Sequence, residues 1–453
     1  GETLEAYKDE MREDPLLPSL PKPGKVKSTT HNAEWDATEY TLSNGVKVII
    51  KPTDFKANEI VFSAIAKGNA MAEMDPAQAA SVKFAPVAMS VESYYNYSNS
   101  DIRKYLQGKQ VGFDMSFDAY TRQIDGTSTV KDLPTAMELL YAFFTGFNIK
   151  EDEFKAKRDA IAGIFANQES DPQFIFSKRL MEVLFPSPLR QALTSEDIKN
   201  ADLNTINGLI RKMTANAADY LFVFTGSIDP ETFVPLMEQY IATLPANAKK
   251  ATKKINLNPA FEDVKGSKTD TFTTSMQTPQ SWVFIMMSAN MPYTAENKAL
   301  ASVAAQVLSK RLLNKVREEM GATYSIGANG GLSRVGDANL MFQIAFPMKP
   351  EMKEEALAAI KDIVNAMTST VTDDEVKPAI EYMQKTATEA LRKNDSWAGS
   401  MTATTLNGVQ TFLNTPETLA KITPAAVQNF MKSVLDQDNY RVIVLDPETT
   451  AAE

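Results

Sequence analysis

Cysteine is absent from this chain of 453 residues, and histidine occurs once, as His31. A closed zinc site needs about four ligands drawn largely from these two residue types, so no thiolate or His-rich cage can be built here. Zero cysteine also removes disulfides as a source of stability and leaves the redox compartment open. No apolar run reaches the roughly 20 residues that a membrane-spanning helix requires. Basic charge is in deficit, with 47 Lys and Arg against 57 Asp and Glu and a net charge of −10, which repels a phosphate backbone and argues against nucleic acid as a partner.

What is present is organised as a duplication. Asp152-Glu153-Phe154-Lys155 is echoed by Asp374-Glu375-Val376-Lys377, each opening a long helical pattern. Asp219-Tyr220-Leu221-Phe222-Val223-Phe224 is echoed by Asn439-Tyr440-Arg441-Val442-Ile443-Val444, and Val61-Phe62-Ser63-Ala64 by Val283-Phe284-Ile285-Met286. All three pairs lie about 220 residues apart, the mark of a repeated unit, and the length suits two domains of about 200 residues. Each repeat reads as strands, helix, strands, several helices and a last strand: an α+β unit with helices on one face of a mainly antiparallel sheet.

Local signals support this order. Asn44-Gly45, flanked by alternating Val46, Val48 and Ile50, predicts a hairpin. Thr372-Asp373-Asp374-Glu375 predicts a capping box, and Asp75-Pro76 a capped helix start. The first 35 residues, with Pro15, Pro18, Pro21 and Pro23, read as a connector. Residues 36–245 and 265–447 form the two repeats, 246–264 a basic exposed linker and 448–453 a tail. Gly1 is not a natural initiator, so the chain reads as processed or as part of a longer one.

The most informative segment is Arg317-Glu318-Glu319-Met320-Gly321-Ala322-Thr323-Tyr324. Leu300, Val303, Val307, Leu308, Leu312 and Val316 recur at helical steps, while Lys310, Lys315 and Glu319 fall on the solvated side. Gly321 is placed to stop the helix in the left-handed conformation. Arg317 then sits in the last helical turn and Tyr324 a few residues into a strand, followed by a Gly-rich turn (Gly327 to Gly331) and a second strand, 339–346. A guanidinium fork and a phenol so placed can converge on one carboxylate or carbonyl. The same residues also suit an ordinary helix end with a favourable cation and a half-buried tyrosine.

The run from Leu313 to Ile326, Leu-Asn-Lys-Val-Arg-Glu-Glu-Met-Gly-Ala-Thr-Tyr-Ser-Ile, resembles the Arg/Tyr motif in the non-catalytic half of insulinase/pitrilysin-type zinc metallopeptidases, in particular the bacterial single-chain zinc proteases. Residues 40–56, Tyr-Thr-Leu-Ser-Asn-Gly-Val-Lys-Val-Ile-Ile-Lys-Pro-Thr-Asp-Phe-Lys, are similar to the opening strand pair of a repeat in that family. The resemblance runs over residues 36 to 447 and implies two homologous repeats of the mitochondrial-processing-peptidase-like metallohydrolase fold. Family active sites place two His and a Glu on one helix. The helix at that place in the first repeat, Asp75 to Glu92, has no His, and neither does the one leading to Arg317.

The resemblance therefore implies a substrate-binding half with no catalytic residue and no metal ligand of its own. Zinc, the metal-activated water and the general base would come from a catalytic half fused upstream or present as a separate chain, and the two would enclose and cleave peptides in a chamber. Arg317 would hold substrate backbone or a terminal carboxylate, and Tyr324 the scissile region or its oxyanion. The isolated chain should be inactive. An extracytoplasmic location, periplasmic or membrane-associated, is suggested by the resemblance alone. A free-standing, non-peptidase subunit for assembly or peptide capture is the alternative, and a weaker third reading is a complete enzyme using carboxylates alone. His31 reads as an exposed loop residue, Glu318 and Glu319 as solvated charges, and Tyr94, Tyr95 and Tyr97 as core packing or a peptide groove.

Overall fold

The structure is a computed structural model in which residues 14–256 and 261–449 are described. The first stretch runs β1 (Val26–Asn32), β2 (Ala37–Leu42), β3 (Lys47–Pro52), β4 (Ile60–Lys67), α1 (Ala79–Ala88), β5 (Ser93–Tyr94), α2 (Asn99–Tyr105), β6 (Val111–Phe117), β7 (Thr121–Ser128), α3 (Leu133–Gly146), β8 (Phe147–Asn148), α4 (Glu151–Gln168), α5 (Pro172–Leu184), α6 (Ser195–Asn200), α7 (Leu203–Thr214), β9 (Tyr220–Gly226) and α8 (Pro230–Tyr240). The second runs β10 (Lys268–Thr274), β11 (Ser281–Ala289), α9 (Ala295–Leu312), β12 (Ala328–Leu332), β13 (Leu340–Met348), α10 (Lys353–Ala366), α11 (Asp373–Ala390), α12 (Asn394–Asn407), α13 (Thr415–Ala420), α14 (Pro424–Leu435) and β14 (Tyr440–Pro447).

Two sheets carry the architecture. One has the strand order β1-β2-β3-β9-β4-β7-β6, the other β10-β14-β11-β13-β12. Strands β3-β9-β4-β7-β6 and β10-β14-β11-β13-β12 follow the same path, each with one parallel pair, β3 with β9 and β10 with β14, and otherwise antiparallel neighbours. The duplication and the α+β class read from the sequence are therefore present in the backbone.

The chain divides into two compact units that do not follow the sequence halves. One comprises the described residues up to Phe165 with Leu193–Asn256 and Lys393–Leu406, and the other Ala166–Ala192, the described part of Leu257–Arg392, and Asn407 onward. In the first unit, α12 contributes Trp397, whose ring lies 4.1 Å from Lys51 Nζ. In the second, α5 packs Phe176 and Leu184 against Phe284, Met286, Ile443 and Leu445. Val283, Ile285, Met287, Val442 and Val444 instead face the core beneath α9 and α14. Strand residues alternate faces, so this sheet is covered on both sides: the helical layer on one and α5 on the other. The second repeat's own helices α9, α10, α11, α13 and α14 share one face, as the fold class read from the sequence has it, and α5 covers the other.

Three further expectations shift. β1 begins inside the stretch read as a connector; its residues are mostly exposed, which removes the apolar period that would betray a strand. His31 accordingly lies in a strand, with Nε2 3.6 Å from Asp36 Oδ1 and both side chains exposed. The basic stretch after Ala246 is tied down in part, since Thr252 N donates to Asp219 Oδ1 at 2.8 Å and Asn256 N to Glu73 Oε1 at 3.0 Å.

A buried charge organises the first unit. Arg122 on β7 is fully buried; its Nε donates to Gly68 O at 2.8 Å, Nη1 to Met213 O at 2.8 Å and Nη2 to Asp219 Oδ2 at 3.1 Å. Its guanidinium also lies over the Tyr220 ring, whose phenol burial pushes up to about 12. Removing one member of such a pair strands the other in low dielectric. Arg122→Met is expected to lower stability by about 3–5 kcal/mol, and Arg122→Met/Asp219→Asn to recover part of that loss. Urea denaturation checks this; a single-variant loss below about 0.5 kcal/mol, the scale of a neutral surface change, would contradict it.

In the second unit the predicted capping box forms, with Thr372 N donating to Glu375 Oε1 at 3.2 Å. Glu375 also receives a bidentate pair from Arg311 at the end of α9, Nε to Oε2 at 2.6 Å and Nη2 to Oε1 at 2.8 Å. Arg311 holds the Glu375 carboxyl below its ordinary range. A depressed folded-state pKa gives a contribution fully present above the unfolded value and lost as pH falls through the folded one. Glu375→Gln should therefore cost about 1–2 kcal/mol at pH 7, and the gap should close toward pH 3. Equal gaps at both pH values in urea titrations would refute the assignment.

Candidate functional site

The corner containing Arg317 and Tyr324 is built at the end of α9. Leu300, Val303, Val307, Leu308, Leu312 and Val316 are all buried, so the apolar stripe read from the sequence anchors this helix. Past Leu312 the winding loosens into a π-helical segment, Leu313–Glu319, in which Arg317 lies. π-Turns are uncommon and often mark functional positions. The segment unwinds through Met320 N to Lys315 O (3.0 Å), Gly321 N to Arg317 O (3.0 Å) and Ala322 N to Val316 O (3.0 Å). Gly321 adopts φ 62°, the left-handed stop expected of it.

The chain does not then enter a strand at once, contrary to the sequence reading. Thr323 Oγ1 donates to Pro347 O at 2.6 Å, and Lys349 N to Ala322 O at 3.0 Å. These bonds pin an irregular loop against the end of β13. Ala322 and Ile326 are buried on either side, yet Tyr324 between them is 95% exposed. The Gly-rich run supplies β12 itself, and the turn that follows is Ser333 to Ala338. A Cβ on Gly330 would meet the Phe342 ring at 2.5 Å and Ala301 O at 3.0 Å, so glycine lets α9 lie directly on this strand.

Arg317 and Tyr324 thus share one corner, because Val316 and Ala322, a backbone neighbour of each segment, are hydrogen-bonded together. Among the described residues no hydrogen bond joins the two side chains. Arg317 Nε approaches Glu318 Oε1 only to 3.8 Å, with both side chains about half exposed, an interaction of little strength in water. Lys315 pairs with Glu319 at 2.9 Å along the solvated face. The guanidinium is therefore free to bind an incoming carboxylate or carbonyl.

The other candidates fall away. Tyr94 and Tyr97 are buried; the Tyr94 hydroxyl donates to Glu92 at 2.7 Å, and burial drives its phenol well above the usual range. That cluster is core. Asp75 caps its helix start by accepting from Ala77 N at 2.9 Å, and the helix that follows, α1, holds no histidine. Among the described residues no group of three His, Asp or Glu side chains is gathered to hold a metal ion, so the donor set does not fit zinc. Sequence reasoning did not find a cavity of about 900 Å³ between the start of α5 and the β10–β11 turn, because its glutamine, serine and threonine lining follows no period.

Residues 214–383 match the peptidase M16 inactive domain family. Over 403 residues the chain is 21% identical to a zinc protease PQQL-like protein of Arabidopsis thaliana, covering 84% of this chain and 39% of that protein. The crystal structure of the periplasmic protease PqqL from Escherichia coli is similar with a TM-score of 0.83 at 17% identity, over 99% of this chain and 49% of that one. The peptidase M16 inactive domain from Pseudomonas fluorescens gives 0.73 at 18% identity, over 92% of this chain and 100% of that one. The chain spans less than half the length of the two PqqL proteins. The resemblance read from the Arg/Tyr segment holds on these findings: residues 214–383 match a peptidase M16 inactive domain, and the chain as a whole has the fold of one half of the PqqL protease.

Proposed function

We propose that this chain is the substrate-binding half of a zinc-dependent metalloendopeptidase, and that Arg317 and Tyr324 hold the peptide. The observation that carries this reading is Tyr324. A tyrosine on a loop fixed at Thr323, Ala322 and Lys349 stands 95% exposed, with Ala322 and Ile326 buried two positions to either side. Burying a side chain of this size would contribute about 1.5–3 kcal/mol, so its exposure serves no stability purpose. An ordered phenol beside an unengaged guanidinium is suited to a polar, partly charged ligand that arrives from outside.

Each group has a distinct task. Arg317 offers a planar fork of donors to substrate carbonyls or a terminal carboxylate. Tyr324 donates one hydrogen bond where negative charge develops on the scissile carbonyl, and a donor held in place beforehand reorganises little during reaction. Closure of a second half over the peptide excludes water and strengthens both interactions. The zinc is supplied by that half, fused upstream or a separate chain; among the described residues no group of His, Asp and Glu side chains is gathered that would fit the ion.

Two outcomes are expected. The pure chain folds but hydrolyses no peptide; chelator-sensitive proteolysis by it, absent from a mock preparation, would refute this. With the zinc-bearing half present, Tyr324→Phe lowers kcat by a factor on the order of 10² to 10³ with unchanged folding, as for loss of one oxyanion donor. Arg317→Lys keeps the charge but loses the fork, and impairs peptide binding. Wild-type kinetics in both variants would reduce the corner to a helix stop with a surface tyrosine.

A further inference from the structure

The cavity beside α5 lies within the second unit, and its lining is distinctive. Gln168, Gln173, Gln277 and Gln280 contribute four carboxamides, and Trp282 and Met276 an apolar wall. None of the four carboxamides, nor the Trp282 indole N–H, is hydrogen-bonded among the described residues, whereas three glutamines elsewhere in the second repeat are engaged: Gln428 with Val371 O at 3.0 Å, Gln384 with Pro416 O at 3.0 Å, and Gln437 with Asn290 O at 3.0 Å. Among the lining side chains Asp171 alone is ionisable. The space is an open trough of unused neutral donors and acceptors over an aromatic surface.

Its position relates it to the tyrosine loop. Trp282 on β11 faces Pro347 on β13 across the ladder, and the carbonyl of that same Pro347 receives the Thr323 hydroxyl at 2.6 Å. Thr323, the residue before Tyr324, and Trp282 thus both meet Pro347 at the same end of the sheet.

We propose that this cavity takes an uncharged stretch of the same extended polypeptide that Arg317 and Tyr324 hold, a reading that rests on the substrate-holding role proposed above. Carboxamides both donate and accept, which matches the alternating N–H and C=O groups of an extended main chain. Trp282 and Met276 accept an apolar or small polar side chain between them. A lysine or glutamate would lose hydration there without an opposite charge to replace it, apart from Asp171 at the rim for a cation. The trough is therefore a selector for neutral sequence flanking the held segment.

The test uses the full chain and an acetylated, amidated ten-residue peptide of Ser, Thr, Gln and Leu, with tryptophan emission as the readout. A saturable emission change is expected, and it should vanish in Trp282→Phe although Trp35 and Trp397 remain. Gln173→Ala/Gln280→Ala should weaken binding about tenfold, the loss expected when two neutral hydrogen bonds go. Peptides carrying three Glu in place of Ser should bind at least about tenfold more weakly. No saturable change, an unaltered change in Trp282→Phe, equal binding of the acidic peptide, or a response to maltoheptaose in place of the peptide would each overturn the proposal. In the enzyme completed by its zinc-bearing half, the double glutamine variant should raise KM for neutral-flanked peptides and leave kcat unchanged. An unchanged KM there, together with a depressed kcat in Tyr324→Phe, overturns the cavity while sparing the corner; a normal kcat in Tyr324→Phe overturns the corner itself.

Discussion

In both sheets the last strand of the repeat closes a gap between two strands that are neighbours in sequence. β9 lies between β3 and β4, and β14 between β10 and β11. β3 and β4 cannot pair with each other, so their ladder waits for a strand that follows more than 150 residues later. Of what lies in between, the short antiparallel hairpin of β6 and β7 extends the far edge of the sheet, and α5 packs in the second unit. Such pairing is costly in loop closure and slow, which is why the central strands are so apolar: Phe222, Val223 and Phe224 on β9, and Ile443, Val444 and Leu445 on β14, are all essentially buried. A strand with neighbours on both sides and cover on both faces cannot alternate polar and apolar, and these do not.

That constraint also fixes the corner that carries Arg317 and Tyr324. β14 and β13 flank β11, and β13 carries β12 on its outer side, so the end of β13 is a rigid edge on which a loop can be hung. Ala322 and Thr323 hang there, bonded to Lys349 N and Pro347 O. The position of Tyr324 is set by sheet closure at one end and by the buried stripe of α9 at the other. Neither involves the tyrosine, and so the ring is free to face a ligand.

Much of this was legible because the signals are local. The α9 stripe, the left-handed Gly321, the Asn44-Gly45 hairpin and the Thr372 capping box depend on residues within a few positions of one another, and each stands as read. What escaped depends on distant partners. β1 is an exposed edge strand whose polar residues carry no inward face. Gly330 on β12 is where α9 and the Phe342 ring press on the strand, and a sequence cannot distinguish a glycine needed for close approach from one needed for a turn. The second cover of each unit comes from α5 and α12, helices recruited across the sequence halves. No periodicity announces which sheet a helix will serve.

Tyr324 shows where local reading stops and tertiary bonding takes over. Ala322, Tyr324 and Ile326 alternate as a strand's inward residues would, and Ala322 and Ile326 do face the core. Extending that register would bury the tyrosine as well. The Thr323 hydroxyl intervenes: it accepts weakly from Ser325 N at 3.4 Å while donating to Pro347 O, tightening the backbone into a bend at Tyr324. A side chain forming a local turn competes with the ladder, the usual behaviour of threonine at strand ends. One hydroxyl thus turns a tyrosine of apolar, core-like spacing into an exposed hydrogen-bond donor, beside an arginine delivered by a loosened helical turn. Both departures from regular structure, the π-turn and the bent strand start, fall within the same run from Leu313 to Ile326 that carries the family resemblance. Packing alone gives no reason for the bend, since a continued strand register would have buried Tyr324 with Ala322 and Ile326.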